Sequence, residues 1–236
     1  MSEARLLVRG RWVVTGAGPD DQSLSDAAVL VEGDRVAEIG PWITLRQRHP
    51  DCEVLGSEDS AVLPGMVNAH HHSSGVSALQ QGIADDLLEP WILARIRMRP
   101  GDAYLDTLLS AARLMATGVT SVVDVRSGGG APEAYDAMVR DGLRAHDEAG
   151  LRVAYAAGIG DQSFLVAGAG EDRAFLAGLP DDLRPLAESL LPGPEQLTQD
   201  DYFAVMEAIW RDHRDHPRIG LWFGPPGPQW VSDPFL

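Results

Sequence analysis

From residue 64 onward the chain alternates short β-branched runs with amphipathic helices, which confines it to an α/β architecture. Residues 119–125 are rich in valine and carry few charges, as a buried parallel strand does. Residues 102–117 before it place apolar side chains at 105, 108, 109, 112 and 115, a helical period, and Gly118 stops the helix. Residues 132–149 after it form a second helix, with proline in the first turn and Gly150 just past the end. Further strands are expected at 66–69, 151–157 and 219–223. Residues 85–99 read as partly helical before a stop at Pro100-Gly101. A helix is expected over 199–213, and two short ones near 171–178 and 181–191 within an irregular stretch. Repeated βα units of this kind form either a doubly wound sheet or a (β/α)₈ barrel.

Residues 1–63 follow a different pattern. Strands are expected at 6–14, 52–55 and 61–63, with a hairpin over 28–39 that turns at Gly33-Asp34. No helical period shows before residue 76, so an all-β module is expected. The domain reading is therefore 1–63 and 64–236.

Charge narrows the function classes. Nineteen basic residues face 35 acidic ones, a net charge of −16 in 236 residues, which opposes binding to nucleic acid or anionic membrane surfaces. The single cysteine, Cys52, makes no internal disulfide. No apolar run reaches the ~18 residues of a membrane span, and the N-terminus lacks the apolar core of a secretion signal. A cytoplasmic location is the expectation. Every basic residue is arginine; the absence of lysine excludes a Walker A loop, a Schiff-base lysine and a carbamylated-lysine metal bridge from these residues.

The chemistry concentrates in Pro64-Gly65-Met66-Val67-Asn68-Ala69-His70-His71-His72. Side chains alternate along a strand, so His70 and His72 share a face, their Cα atoms about 7 Å apart, and His71 points the other way. Spacing alone leaves two readings, a pair of metal ligands or a histidine-bearing turn. The Pro-Gly before the strand and the βα pattern after it favour the metal, because parallel α/β folds gather their chemistry at the carboxyl ends of strands.

A β module followed by Leu63-Pro64-Gly65-Met66-Val67-Asn68-Ala69-His70-His71-His72 resembles the start of the amidohydrolase superfamily. The likeness is greatest to the branch that holds S-adenosylhomocysteine and guanine deaminases and triazine hydrolases. It continues through Gln81-Gly82-Ile83-Ala84-Asp85-Asp86-Leu87, Trp91, Gly118-Val119-Thr120-Ser121-Val122-Val123-Asp124 and Gly224-Pro225-Pro226-Gly227-Pro228. The resemblance implies about the first four strands of a TIM-like barrel behind an N-terminal β-sandwich segment. It implies one divalent ion, Zn²⁺ or Fe²⁺, held by His70 and His72 with ligands from strands 5, 6 and 8. Those strands lie outside this sequence, so the catalytic residues are unknown and the chain reads as truncated. A family lysine at the end of strand 4 is missing here, which favours the mononuclear, deaminase-like branch.

The implied activity is hydrolysis of a non-peptide C–N bond, deaminating a cyclic amidine or purine-like small molecule, in a protein that could be a homo-oligomer. The alternatives are an inactive remnant serving as an interaction module and a triazine-type dechlorinase. Two departures put the substrate in doubt: Gly75 stands where guanine-type deaminases carry glutamine, and Pro226 where adenosine-type deaminases carry histidine. Gln229 and Trp230 are candidate substrate contacts beside an ordinary loop role. Asp124 and Arg126 read equally as a salt bridge, Asp85 and Asp86 as a helix entry, and Ser127-Gly128-Gly129-Gly130 as a flexible connection without nucleotide-binding spacing. His49, His146, His213 and His216 read as surface residues, the last two favourable at a helix end.

Overall fold

The computed structural model describes residues 5–236 apart from 17, 21, 100, 167 and 169, so the expected stop at Pro100 lies outside the described residues. It divides into two compact units, Met1–Gly65 and Met66–Leu236.

In the first unit β1 (Arg5–Val14) pairs antiparallel with β2 (Ser23–Glu32), and β2 with β3 (Arg35–Pro41). The hairpin turns at Gly33, whose φ of 61° is left-handed backbone that glycine adopts freely. Along the other edge of β1, β4 (Glu53–Gly56) and β5 (Ala61–Val62) run parallel to it. Leu7, Ala28 and Leu30 form one buried cluster and Val13, Ala27 and Val29 another, with 28 and 30 alternating against 27 and 29 along β2. The described strands of this unit form one five-stranded sheet.

The all-β expectation needs correction, because Trp42–Arg48 is a helix, α1. Seven residues make fewer than two turns and bury only Leu45, so no repeating apolar stripe exists to be read. Tertiary packing forms it instead: Leu45 is fully buried with Leu7, Ala28 and Leu30.

In the second unit β6 (Met66–His71), β7 (Val119–Gly128), β8 (Arg152–Ile159) and β9 (Ile219–Phe223) pair in chain order, all parallel. Helices α2 (Leu88–Arg95) and α3 (Ala103–Ala116) lie between β6 and β7, and α4 (Pro132–Ala149) between β7 and β8. Helices α5 (Asp172–Gly178), α6 (Arg184–Glu188) and α7 (Gln199–His213) precede β9.

The caps explain the sharp ends. The Asp102 carboxylate accepts the Leu105 N–H at 2.8 Å, Thr198 and Asp201 form a capping box on α7, and Gly150 closes α4 at φ 83°.

One core holds this unit together. Val122, Val153, Tyr155 and Ile219 from the sheet pack against Leu114, Tyr135, Val139, Leu143, Tyr202 and Ile209 from α3, α4 and α7. The alternate residues Ser121, Val123, Arg152 and Ala154 face the other way, with Val67 and Gly220, onto an open hollow of about 350 Å³. A second hollow of about 480 Å³ lies beside the edge strand β9, lined by Phe203, Met206, Trp210, Trp222 and Phe223.

One smaller expectation also changes. Gly128 belongs to β7, paired with Ile159, and Gly130 is fixed by Gln196, whose amide oxygen accepts its N–H at 2.8 Å. The Ser127-Gly128-Gly129-Gly130 stretch is thus a strand end and an anchored turn, not a free connection.

Candidate metal centre

Strand β6 ends at His71, and the three histidines straddle its carboxyl end. The exposed rings of His70 and His72 meet edge to face, centroids 4.8 Å apart, with their Nε2 atoms 3.2 Å from each other. His72 Nδ1 lies 2.7 Å from the carbonyl oxygen of Val125 on β7. A carbonyl only accepts, so Nδ1 carries the proton and donates, and the Nε2 lone pair faces His70. The Arg126 guanidinium donates to the His72 carbonyl at 2.6 Å, holding the backbone of the same residue.

This pair fits a divalent ion. Two nitrogens each ~2.0–2.1 Å from a tetrahedral Zn²⁺ lie about 3.3 Å apart, close to the observed separation, and imidazole suits zinc and iron. Among the described residues no group of three or more histidine, cysteine, aspartate or glutamate side chains could hold a metal ion, so His70 and His72 stand as a pair of donors.

His71 turns the other way, its Nε2 2.7 Å from Ser110 Oγ on α3. Burial lowers its pKa from the ordinary histidine value, against the opposing pull of Asp124.

Beneath the pair lies a polar group that corrects two expectations. His146 is fully buried rather than at the surface, and its Nε2–H donates to Asp124 Oδ2 at 2.9 Å, with Asp124 equally buried. Asp124 therefore pairs with His146, while Arg126, the other half of the expected salt bridge, reaches the His72 carbonyl and Thr107. A sequence signal for His146 existed: Tyr135, Val139, Leu143 and His146 fall on one stripe of α4, the stripe that is buried.

Gln229 and Trp230 stand beyond the carboxyl end of β9, on a loop strapped to the one after β8. The Trp230 carbonyl accepts N–H bonds from Asp161 (3.0 Å) and Gln162 (3.3 Å), and Asp161 accepts from the Ser232 N–H (2.7 Å) and hydroxyl (2.6 Å). Among the described residues no hydrogen bond or ring contact joins Gln229 or Trp230 to the histidine pair. The Asp86 carboxylate accepts the Leu87 N–H at 2.8 Å, at the entry to α2. His213 bonds the Ile209 carbonyl and His216 lies 3.3 Å from Asp147, both at the end of α7.

The two departures from nearby deaminases have different footings. A Cβ on Gly75 would stand 2.5 Å from the Asp106 carbonyl oxygen, so α3 occupies the space a glutamine would need. Nothing in the structure explains Pro226.

Residues 27–51 match the bacterial imidazolonepropionase-like composite domain. A 5'-deoxyadenosine deaminase of Methanosarcina barkeri is 30% identical over 128 residues, 52% of this chain and 28% of that protein. A 5-methylthioadenosine/S-adenosylhomocysteine deaminase of Pyrococcus abyssi is 32% identical over 131 residues, 53% of this chain and 29% of that protein.

Among solved structures, a zinc-bound adenosine deaminase from Xanthomonas campestris superimposes with a TM-score of 0.67 at 22% identity, covering 98% of this chain and 45% of that one. A zinc complex of atrazine chlorohydrolase from Arthrobacter aurescens gives 0.65 at 20% identity, covering 96% and 48%. The chain thus matches less than a third of the curated relatives' length and about half of the solved structures'. In sequence the chain resembles deaminases over about half its length, and it shares its fold with the solved adenosine deaminase and atrazine chlorohydrolase structures.

Proposed function

We propose that this chain is the N-terminal half of a metal-dependent hydrolase that deaminates a cyclic amidine or purine-like ring. In this reading β6 to β9 are the first four strands of a (β/α)₈ barrel, and the unit before them is part of a β-sandwich. The observation that carries it is the 3.2 Å approach of the His70 and His72 Nε2 atoms at the carboxyl end of β6. The deaminase relatives and the shared fold support it.

His70 and His72 would hold one Zn²⁺ or Fe²⁺ with ligands from outside this chain. Such an ion, when bound, supplies Lewis-acid activation of water for attack on an electron-poor ring carbon. This chain's own residues orient the site: the Val125 carbonyl fixes the His72 tautomer and Arg126 fixes its backbone. Gln229 and Trp230 are proposed to border the substrate, held on a loop that the Asp161 and Gln162 bonds keep in place.

The test is zinc binding by the purified chain, followed by competition with a chromophoric chelator. Weak binding that disappears in a His70→Ala/His72→Ala variant is expected, since two imidazoles fill half of a tetrahedral site. Undiminished zinc in that variant refutes the assignment. Ammonia release from a purine, pterin and triazine panel, by the chain extended through further strands, tests the reaction. A zinc-loaded extended protein that spares every member would favour another hydrolase chemistry.

A further inference from the structure

Ser73, the residue after His72, has a φ of 42°, which a side chain with a Cβ adopts only under constraint. It is fully buried, and its hydroxyl lies 3.4 Å from His146 Nε2, the nitrogen that also donates to Asp124. The Ser73 oxygen is therefore a second, longer acceptor for one N–H on α4. Left-handed backbone at a non-glycine residue is strained and persists only where the surroundings hold it. Here the holding group is a buried histidine, itself fixed by a buried carboxylate on β7.

The turn this clamp secures is the one that sets the direction of His72. His72 is gripped at its ring, through Nδ1 by Val125, and at its backbone, through its carbonyl by Arg126, and both partners ride on β7. Asp124 is on the same strand. Strand β7 thus holds His72 directly at residues 125 and 126 and indirectly, through Asp124, His146 and Ser73, at the next residue of the chain.

We infer that His146 is a positioning residue: with Asp124 it pins Ser73 in its left-handed turn and so keeps the His72 ring aimed at His70. The inference rests on the proposed metal pair for its purpose, but its geometry concerns the metal-free chain and is tested there.

The experiment is long-range ¹H–¹⁵N spectroscopy of the histidine rings in the metal-free full chain at pH 8, where neutral imidazoles reveal their tautomer. The parent should show His72 protonated at Nδ1. In Ser73→Ala, which keeps the backbone strain and loses the hydroxyl, and in His146→Leu, this signature should give way to mixed tautomers. His146→Gln, which can still donate from a terminal N–H, should recover part of it.

Val139→Ala loosens the same helix without touching the clamp and should leave His72 unchanged. His72 still protonated at Nδ1 in both Ser73→Ala and His146→Leu would overturn the inference. So would an equal loss in Val139→Ala, which would mean general loosening. A zinc titration of the same variants separates the two readings, with affinity expected to fall by about 10–100-fold as for other supporting contacts of metal ligands. Absence of zinc binding in the parent, with the tautomer responding as stated, removes the metal assignment and leaves the clamp standing.

Discussion

His72 donates from Nδ1 to the Val125 carbonyl across 2.7 Å, so a strand-to-strand contact decides which face of the ring is basic. Two neighbouring histidines of the same motif consequently differ in what they can do, and substitution separates them.

His70→Ala and His72→Ala should each abolish measurable zinc binding while changing thermal stability little, because both side chains are exposed. His71→Ala should do the reverse. It removes the bond to Ser110 and costs about 1 kcal/mol, leaving zinc affinity nearly unchanged. Paired zinc titrations and thermal melts of the three variants check this. A zinc loss in His71→Ala equal to that in His72→Ala would contradict the geometry.

Gly158→Ala should be among the most damaging single-methyl additions in the sheet. A Cβ there would lie 1.9 Å from the Gly224 carbonyl oxygen, and backbone of a neighbouring strand end cannot swing aside as a side chain can. A loss of about 3 kcal/mol in denaturant unfolding is expected. Gly178→Ala, with nothing near the added carbon, is the control and should be close to neutral.

Acid should loosen the segment after β8 through Asp172. Burial alone would raise its pKa, but N–H bonds from Leu165, Phe164 and Val166 outweigh this and hold it below the ordinary aspartate value of 3.8. The unfolded chain therefore binds this proton first as pH falls. The stability Asp172 contributes is complete above 3.8 and is lost as pH drops through the lower folded value. Melting curves between pH 6 and pH 3 should show a smaller acid loss in Asp172→Asn than in the parent.

The 236-residue chain should self-associate. Strands β6 and β9 end the parallel sheet among the described residues, and Trp222 and Phe223 on β9, with Trp210 on α7, are exposed. Trp222→Lys should reduce the apparent mass by light scattering. A monodisperse parent with cooperative unfolding would count against an open edge.

Where sequence and structure part, the cause is local. Helix α4 begins and ends where Pro132 and Gly150 say it should, because its capping is encoded in adjacent residues. Strand β7 runs three residues past Val125, since pairing with β8 as far as Gly128 and Ile159 is a long-range contact that no local pattern reveals. Helix α1 is legible only in three dimensions, through Leu45. The convergence of His70 and His72 follows from strand alternation, whereas the pairing of Asp124 with His146 joins a strand to a helix 22 residues on. The stripe of α4 places His146 inward, against the expectation of a surface residue; nothing local names the carboxylate that meets it.

The Asp106 carbonyl that stands where a side chain on Gly75 would begin also bears on how this protein can change over generations. Codon 75 is a closed door to drift. Any residue other than glycine demands a simultaneous shift of α3, so no single mutation there is accommodated without moving the helix. Position 75 will record the backbone's veto rather than a preference among side chains.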